Sequence, residues 1–500
     1  MRYLLDSWLN RISMYRLLSI TLSILWGSAL GLSLLGALDF SPLAVIVSGV
    51  VLVLVTTLSN RLFGLMFGLQ PHDESSYITA LILFCIFTPS FEIEALLVLS
   101  IIGVLASASK YLLAIHGRHI FNPAAAAAVI SSLTGLAFAS WWVATPLLLP
   151  FTLIFAFFIL YKTRRLQMGA LFLSLSIPII VTVLLADGAS LTEALLLLMS
   201  WPLLFFVGFM LSEPLTLPPK KWQRLVEAVV VGVLFALPMY DGPLALGLAG
   251  ALIIGNGLAF LFSQRRSISL TLADTRQLTP SSREFRFDAN RPLTFQAGQY
   301  MEITIPHTHK DGRGLRRIFS ITTAPGQSVI GFGVKFYEPS STFKKMLKTL
   351  QSGEVIQATM ISGDFTLPKN TNEPLLFIAG GIGITPFISH LLHMQATGQT
   401  RDIILLYMVS DVKEIAYADT LQQSGIKVIV CTPTAQKLPV KKWLPIHTQQ
   451  LTAHMVKKAI PDVAARKVYI SGAPTMINRV KKQLKHLGVK KIKSDYFTGY

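Results

Sequence analysis

The sequence predicts a polytopic α-helical membrane domain joined to two soluble domains, an antiparallel β-barrel and a parallel α/β domain. Of its 500 residues, 52% are hydrophobic and only 14% are charged, which is too apolar for an ordinary soluble protein and too long for one domain. The net charge of +18 is uneven, because residues 1–266 hold 14 Lys and Arg against 11 Asp and Glu, whereas the remainder holds 30 against 15. We therefore expect a membrane domain at 1–266 and basic soluble domains at 267–370 and 371–500.

The first part contains about ten apolar segments of spanning length, each ended by Pro, Gly or charge. They lie at roughly 15–36, 41–58, 76–90, 92–115, 121–139, 141–161, 168–186, 190–211, 222–239 and 243–263. If Arg11 and Arg16 keep the N-terminus inside, later basic residues such as Lys162 and Lys220 fall on the same side, and the outer loops hold almost none. This asymmetry predicts an inner or cytoplasmic membrane protein with both termini and the soluble domains in the cytoplasm.

Beyond residue 266, short β-rich segments replace the long apolar ones. The segments "SISLTLAD", "REFRFDA", "QYMEITIP" and "SVIGFGVKFY" alternate or cluster β-formers between turn signals, which predicts a small antiparallel barrel. From Glu373 onward, "LLFIAG", "DIILLYMV", "KVIVCT" and "KVYISG" are short apolar strands separated by helical stretches, which predicts a parallel sheet. Cys85 and Cys431 are the only cysteines, so we expect neither a disulfide framework nor a four-cysteine iron–sulfur site.

The segment "FIAGGIGITPF" at 377–387 interrupts an apolar strand with glycines. Gly381 and Gly383 supply backbone that another molecule can approach closely, and Thr385 and Pro386 have the pattern of a helix N-cap and first helical residue. A glycine turn that opens a helix directs free N–H groups at what lies above it, which suits a pyrophosphate. A plain strand-to-helix turn is the alternative, since glycine patterns are weak by themselves.

Four motifs give the soluble part a family resemblance. The segments "GQY" at 298–300, "RRIFSITTAP" at 316–325, "GGIGITP" at 380–386 and "YISGAPTM" at 469–476 occur in this order. In order and spacing, residues 268–500 resemble the ferredoxin-NADP reductase-like flavoproteins. The resemblance implies a FAD-binding barrel, a nicotinamide-nucleotide domain and hydride transfer from NAD(P)H to FAD.

The resemblance also implies roles for individual residues of the flavin site. Arg317 corresponds to the arginine that holds the flavin pyrophosphate, Phe319 to the aromatic residue against the isoalloxazine, and Ser320 to the hydroxyl residue near flavin N5. Ser341 and Thr342 resemble the start of a pyrophosphate-facing helix. As plain alternatives, Phe319 is a barrel core residue and Ser320 is a strand hydroxyl with a local partner.

On the nucleotide side, the resemblance implies that the NAD(P)H-binding turn is formed by Gly381, Gly383, Thr385 and Pro386. Ser471, just before Gly472, stands where the family often has a cysteine close to the nicotinamide. Asp411 follows the second strand of the α/β domain, where a carboxylate would repel the 2′-phosphate of NADPH. NADH is therefore slightly favoured, although Lys413 is adjacent.

The last residues, "DYFTGY", resemble family members whose terminal aromatic residues cover the flavin face. Phe497 is the better match and is predicted, with Ser320, to have a catalytic role. Tyr500 is the second candidate and is predicted to contact the cofactor. Plain packing is the alternative for both aromatic residues.

The first part carries a second resemblance. The segments "SKYLLAIHGRHIFNPAAAAAV" at 109–129 and "LSEPLTLPP" at 211–219 resemble the NqrB/RnfD family of membrane proteins, which belong to the sodium-pumping NADH:quinone reductase and the Rnf complex. Those relatives esterify FMN to a threonine in a Ser-Gly-Ala-Thr segment, whereas this chain has "DGASLTEA" at 187–194, with Ser190 and Thr192 but no Gly-Ala pair. We therefore expect a second flavin in this domain, FMN or riboflavin, to be bound noncovalently.

Histidines of the first part could act as haem or metal ligands. Haem-bearing reductases need two histidine pairs spread along two spanning helices, whereas this part holds only His72, His116 and His119. All three lie near the predicted cytoplasmic edge. We therefore expect no metal site.

The sequence as a whole predicts an NAD(P)H dehydrogenase fused to its own membrane acceptor, which passes hydride to FAD and then electrons to a flavin or quinone in or across the membrane. The expected partners are membrane lipid, a quinone or another electron acceptor, and further membrane or redox subunits, but no nucleic acid. Two alternatives stay open. One is a flavin or ion transporter that the reductase domain regulates or energises, and the other is a membrane-tethered flavin reductase that acts on a separate partner.

Overall fold

The computed structural model of the chain describes residues 9, 12–68, 73–115, 118–237, 247–262, 268–307, 311, 315–448 and 450–495. The chain forms two compact units, Ser13–Arg266 and, for the most part, Ser267–Tyr500. The first unit is helical, and the second contains two six-stranded sheets.

The described part of the first unit consists mainly of helices. Its described helices are α1 (Met14–Leu34), α2 (Pro42–Met66), α3 (Asp73–Ile86), α4 (Ile93–Leu112), α5 (Pro123–Leu133), α6 (Leu149–Thr163), α7 (Leu166–Ala186), α8 (Leu191–Met199), α9 (Leu203–Met210), α10 (Lys221–Ala236) and α11 (Gly247–Phe262). Helix α1 begins after Ser13, whose Oγ accepts a hydrogen bond from the Arg16 N–H. A hairpin of β1 (Ala114–Ile115) and β2 (Arg118–His119) lies between α4 and α5 in sequence.

Four helices of the described chain, α1, α2, α4 and α7, are long and apolar enough to cross a membrane. A fifth span is added if α8 and α9, which are bent by 45° at their junction, count as one. Helices α5, α6 and α11 are apolar but have only 10–17 residues. The prediction of about ten spans is therefore not confirmed. The reason is that apolar composition extends beyond the helices, as in residues 141–148, which precede α6 without helical structure.

The second unit begins with an antiparallel sheet, as the alternating pattern predicts. Its strands are β3 (Ile268–Thr279), β4 (Ser282–Ala289), β5 (Tyr300–Thr304), β6 (Arg316–Ser320), β7 (Val329–Lys335) and β8 (Val355–Ser362), in the order β6-β5-β8-β3-β4-β7. A bridge between Ile321 and Phe332 joins the two outer strands and closes the sheet into a barrel. Helix α12 (Thr342–Thr349) places Phe343 and Leu347 in the barrel core.

A parallel sheet follows, so that part of the fold prediction is confirmed. Its strands are β9 (Leu375–Gly380), β10 (Ile403–Met408), β11 (Lys427–Thr432), β12 (Leu444–His447), β13 (Lys467–Ser471) and β14 (Ile492–Asp495), in the order β12-β11-β10-β9-β13-β14. Helices α13 (Thr385–Thr397) and α14 (Ala418–Gln423) pack on one face. Helices α15 (Ala453–Ala459) and α16 (Pro474–His486) pack on the other. The strand order reverses between β9 and β13.

Candidate functional site

The turns that follow β9 and β13 meet at the point where the strand order reverses. β9 pairs with β10 on one side and with β13 on the other, where Ser471 lies opposite Ala379. Beyond Gly380, the chain passes through a 3₁₀ turn, Gly381–Ile384, into α13. In open parallel sheets, ligands bind outside the carboxyl ends of the strands at such a reversal. The predicted nucleotide turn therefore lies where the topology favours a ligand.

The glycines of this turn have different physical roles. Gly381 has φ +53° and open space around its missing side chain, so its role is conformational. A Cβ atom on Gly383 would lie 2.5 Å from the Ser471 carbonyl oxygen and 2.7 Å from the Gly472 Cα. The turn that follows β13 thus occupies the space beside Gly383. This observation differs from the expectation that Gly383 admits the nucleotide. Gly383 instead lets the two turns touch.

The predicted N-cap at Thr385 is wrong. Thr385 is the first residue of α13, and the residue before it, Ile384, already has helical angles and makes no side-chain cap. The Thr385 hydroxyl instead donates to the Ile382 carbonyl oxygen at 3.1 Å. The physical reason is that the 3₁₀ turn runs directly into the α-helix, so no extended residue is left to act as a cap.

Strand β6 carries the residue predicted to lie near flavin N5. Its antiparallel pairing with β5 places Ser320 opposite Tyr300. Ser320 is only 3% exposed, and its Oγ has no hydrogen-bond partner in the described part of the chain. A buried hydroxyl left unsatisfied costs about 1–3 kcal/mol, so this atom suits a ligand that hydrogen-bonds to it. The alternative of a strand hydroxyl with a local partner is not observed.

Arg317 and Phe319 of the same strand surround an aromatic residue of α12. Arg317 is buried, and its Cζ lies 5.1 Å from the centroid of the Phe343 ring. The Phe319 ring is half-buried, and its centroid lies 6.0 Å from that of Phe343. Phe319 also packs against the barrel core. The two predicted flavin contacts are therefore both packed against Phe343.

An aspartate that sequence reasoning missed links Arg317 to the start of α12. The sequence analysis predicted these two pyrophosphate-binding groups separately. Asp311 accepts the Thr342 N–H on Oδ2 at 3.1 Å, and its Oδ1 lies 3.5 Å from an Arg317 Nη. Ser341 caps the helix by accepting the Lys344 N–H at 3.3 Å. A helix N–H and a guanidinium are also the donors that bind phosphate oxygens. Asp311 lies in a polar stretch of the sequence without periodicity, so no pattern marked it.

The Ser471 hydroxyl is, like that of Ser320, a buried predicted site hydroxyl without a partner among the described residues. Ser471 ends β13 with 1% exposure, and its Oγ likewise finds no partner within the described residues.

Asp411, after β10, accepts the Lys413 N–H at 2.8 Å, and the Gln436 side-chain amide lies 3.4 Å away. The Lys413 N–H lowers the pKa of the Asp411 carboxyl, with a further contribution from Gln436. Asp411 is therefore a fixed negative charge at neutral pH.

His390 on α13 is a buried residue that sequence reasoning also missed. Its Nε2 lies 2.9 Å from the Phe365 carbonyl oxygen. Burial lowers the pKa of His390 to about 3, so the imidazole is neutral and Nε2 carries the proton that it donates to this carbonyl. Gly298 of "GQY" has φ +84°, and a Cβ there would lie 2.4 Å from the His390 Cε1. Because Gly298 has no side chain, α13 can approach the barrel loop, which is the loop between β4 and β5 that contains Gly298.

Two predicted residues, Phe497 and Tyr500, lie outside the described residues. The last described residue, Asp495, pairs with Ser471 across β13 and β14. In the described ranges, no group of three or more His, Cys, Asp or Glu side chains is placed to hold a metal ion.

Comparisons with known proteins show what the chain is similar to. Residues 377–482 match the family described as Oxidoreductase NAD-binding domain. The chain is 29% identical over 206 residues to the reductase component of propane 2-monooxygenase from Rhodococcus jostii (strain RHA1), which covers 39% of this chain and 53% of that protein. It is 26% identical over 204 residues to the flavohemoprotein of Bacillus subtilis (strain 168), which covers 40% of this chain and 50% of that protein.

The fold comparison also gives similar solved structures. A crystal structure of a ferredoxin NADP+ reductase from Neisseria gonorrhoeae with bound FAD and NADP is 16% identical, with a TM-score of 0.39, and covers 48% of this chain and 100% of that chain.

The C-terminal region is similar to reductases, and residues 377–482 of it match an oxidoreductase NAD-binding domain. The family match lies wholly within the second unit. The chain spans about half the length of the curated relatives that it matches.

Proposed function

We propose that the chain is a membrane-bound NAD(P)H dehydrogenase that passes hydride from NAD(P)H to FAD and then electrons to a flavin or quinone acceptor in or across the membrane. The observation that carries the first step is the meeting of the β9 and β13 turns at the strand-order reversal, beside the buried Ser471 hydroxyl. The name of the Rhodococcus relative, a reductase component, supports the same chemistry.

In this proposal, the barrel residues hold FAD. Arg317 and the N–H groups at the start of α12, near Ser341 and Thr342, bind the pyrophosphate. Phe319 would hold the flavin ring, and the Ser320 hydroxyl, which has no partner in the described part of the chain, would be available to donate a hydrogen bond to it. When bound, FAD would supply the two-electron acceptor for the hydride that NAD(P)H gives up.

We further infer that NADH is preferred to NADPH. Asp411 is held in place by the Lys413 N–H and Gln436 at the end of β10, and its negative charge would repel a 2′-phosphate. Asp411→Ser should therefore raise the kcat/KM for NADPH relative to NADH by roughly an order of magnitude, since like charges brought together are strongly unfavourable. An unchanged ratio would remove Asp411 from the specificity site.

We propose that the helical unit is the membrane half and holds the acceptor, a second flavin or a quinone. Support comes from the four or five helices of spanning length among the described residues of this unit and from the segments at 109–129 and 211–219. Any flavin there is bound noncovalently, because Ser190 caps α8 in a capping box with Glu193 and Thr192 lies in the first turn of that helix. A hydroxyl in a helix start is poorly placed for a flavin-transferring enzyme that needs an extended substrate.

We also propose that the protein resides in the inner or cytoplasmic membrane with the reductase module in the cytoplasm, and that further membrane or redox subunits accompany it. This follows from the sidedness of the basic loops.

A membrane-tethered reductase that serves a separate partner is the second candidate. The observation that favours it is that the Rhodococcus relative is named as the reductase component of an oxygenase. In that case, the helical unit would anchor the protein without carrying electrons.

The deciding experiment uses the full-length protein purified in detergent. Bound flavins are extracted, identified by mass and counted per chain, and anaerobic NADH reduction is followed by stopped-flow absorbance before and after addition of a short-chain quinone. Rapid flavin reduction supports the first step, and its absence in FAD-loaded protein contradicts the proposal. Two flavins per chain and quinone-dependent reoxidation support the internal acceptor, whereas a single flavin without quinone activity favours the tethered reductase.

A further inference from the structure

A buried carboxylate joins the barrel to the nucleotide domain within the second unit. Glu284 of β4 is 8% exposed. Its Oε1 accepts a hydrogen bond from the Thr322 hydroxyl at 2.7 Å and another from the Tyr417 hydroxyl at 2.9 Å. Thr322 lies two residues after Ser320, and Tyr417 precedes α14. We call Glu284, Thr322 and Tyr417 the junction cluster.

Two glycines of β7 make room for this cluster. A Cβ on Gly331 would lie 2.5 Å from the Thr322 Oγ1, and a Cβ on Gly333 would lie 2.7 Å from the Tyr417 hydroxyl oxygen. Residues two apart in a strand face the same side, so "GFG" opens one face of β7 to the cluster. The sequence pattern placed these glycines in a strand without explaining them.

The same face of β7 also touches the nucleotide turn. A Cβ on Gly333 would lie 2.7 Å from the Thr385 Cγ2 and 3.4 Å from the Ile382 Cδ1. Ser389 of α13 donates to the Thr323 carbonyl oxygen at 2.7 Å. The segment after Ser320 is thus connected to both the nucleotide turn and its helix.

The backbone at Tyr417 is held in an uncommon conformation. Tyr417 has φ +58°, a left-handed value that is unfavourable for a bulky residue and is kept only when its surroundings impose it. The preceding residue, Ala416, donates its N–H to the hydroxyl of buried Tyr407 at 3.2 Å. Two tyrosine hydroxyls therefore fix this bend against the sheet and against the barrel.

We propose that Glu284 and Tyr417 are positioning residues for hydride transfer, which hold the strand end that carries Ser320 in register with the nucleotide turn. The proposal rests on the proposed NAD(P)H-to-FAD reaction. In this role, neither side chain contacts a reacting atom. They act by fixing the distance between two subsites on different domains, on which the rate of hydride transfer depends steeply.

The test compares Tyr417→Phe with the wild-type full-length protein, because this change removes only the hydroxyl and keeps the ring. We expect FAD content to be retained, the limiting rate of flavin reduction by NADH to fall about tenfold or more, and the Kd for NADH to change less than about threefold. We also expect a weaker long-wavelength charge-transfer absorbance and faster amide hydrogen exchange in segments 319–323 and 381–386. Glu284→Gln keeps an acceptor oxygen without the charge, so it should give a smaller effect in the same direction.

The matched control is Asp419→Asn, which breaks an exposed ion pair with Arg276 across the same junction. We expect it to leave all of these quantities unchanged, because exposed ion pairs contribute little. Wild-type rates in Tyr417→Phe would overturn the positioning role even though the proposed reaction stands, whereas a wild-type protein that NADH does not reduce would contradict the proposed function itself. If Tyr417→Phe fails to retain FAD, Glu284→Gln carries the same test, and unaltered rates in it would overturn the proposal.

Discussion

The two sides of the proposed active site are built in different ways. The barrel side presents side chains, because Arg317, Ser320 and Asp311 supply its charged and hydroxyl groups. The nucleotide side presents backbone, because Gly381 and Gly383 carry no side chain and the latter packs directly on the turn after β13. We therefore expect the barrel side of the site to be impaired when side-chain groups are removed. The nucleotide side should be impaired when side-chain atoms are added.

This difference also explains why one side was easier to interpret from sequence. A side-chain site needs particular residue types, which the sequence states directly. A backbone site needs space, and the sequence does not say what fills that space. Four predictions test the contrast.

The largest effect should come from adding a methyl group to the nucleotide turn. Gly383→Ala places a Cβ 2.5 Å from the Ser471 carbonyl oxygen, so the β13 turn must move, and overpacking of this kind typically costs about 1–3 kcal/mol in stability. Because the turn is also the proposed nucleotide site, we expect flavin reduction by NADH at low NADH concentration to fall about a hundredfold, the scale for a reactant misplaced by 1 Å, with FAD retained.

Gly381→Ala is the matched control in the same turn. Its Cβ meets open space and only the left-handed backbone is disfavoured, at about 1–2 kcal/mol. If stopped-flow traces show that Gly381→Ala is as impaired as Gly383→Ala, the assignment of a packing role to Gly383 is wrong.

Removing a group should affect the barrel side. Arg317→Ala takes away a buried guanidinium, and hydrogen bonds to charged groups contribute about 1.5–3 kcal/mol each. We expect the variant to lose FAD on purification, measured as the flavin-to-protein ratio. Arg286→Ala removes an arginine of the same barrel whose ion pair with Asp274 is exposed, and it should keep the wild-type ratio. Full occupancy in Arg317→Ala would contradict the pyrophosphate role.

The contact between α13 and the barrel loop should depend on pH through His390. Its pKa of about 3 in the folded protein is below the ordinary value of 6.5, so the unfolded chain binds the proton more readily, and stability is lost as pH falls from about 6.5 towards 3. Between pH 6.5 and about 5 the loss is about 2 kcal/mol.

His390→Gln keeps an N–H donor for the Phe365 carbonyl but does not titrate. It should flatten the pH dependence of the midpoint for thermal FAD release over this range. A slope equal to that of the wild type would show that His390 does not account for the acid sensitivity.

The smallest effect should come from Ser320→Ala. Because the Ser320 Oγ has no partner in the described chain, its removal should leave the melting temperature of FAD-free protein unchanged or slightly higher. The FAD-loaded protein should show slower reduction by NADH, by about tenfold, the scale of one lost hydrogen bond. A drop in stability of the FAD-free protein would mean that Ser320 has a structural partner instead.

The sequence predictions were correct where the relevant pattern is local in the chain, and they failed where the surrounding structure decides. Alternation in "SVIGFGVKFY" and the apolar runs of "LLFIAG" and "KVYISG" predicted strands correctly, because local periodicity matches the burial of one or both faces. The N-cap at Thr385 was wrong because a 3₁₀ turn precedes it. About ten spans were predicted from apolar composition, but length and bending leave four or five candidates in the described chain.

By itself, the sequence determined the division into an apolar helical unit and a basic unit, and the type of each sheet in the basic unit. It also predicted Arg317, Ser320 and Ser471 as site residues. These depend on composition, periodicity and residue chemistry, which are properties of neighbouring positions. The tertiary structure alone decided what Gly383 packs against, that Asp311 joins Arg317 to α12, and that Glu284 meets Tyr417 at a separation of 133 positions. Such contacts require strands and helices to be placed in three dimensions, and no local pattern encodes that placement.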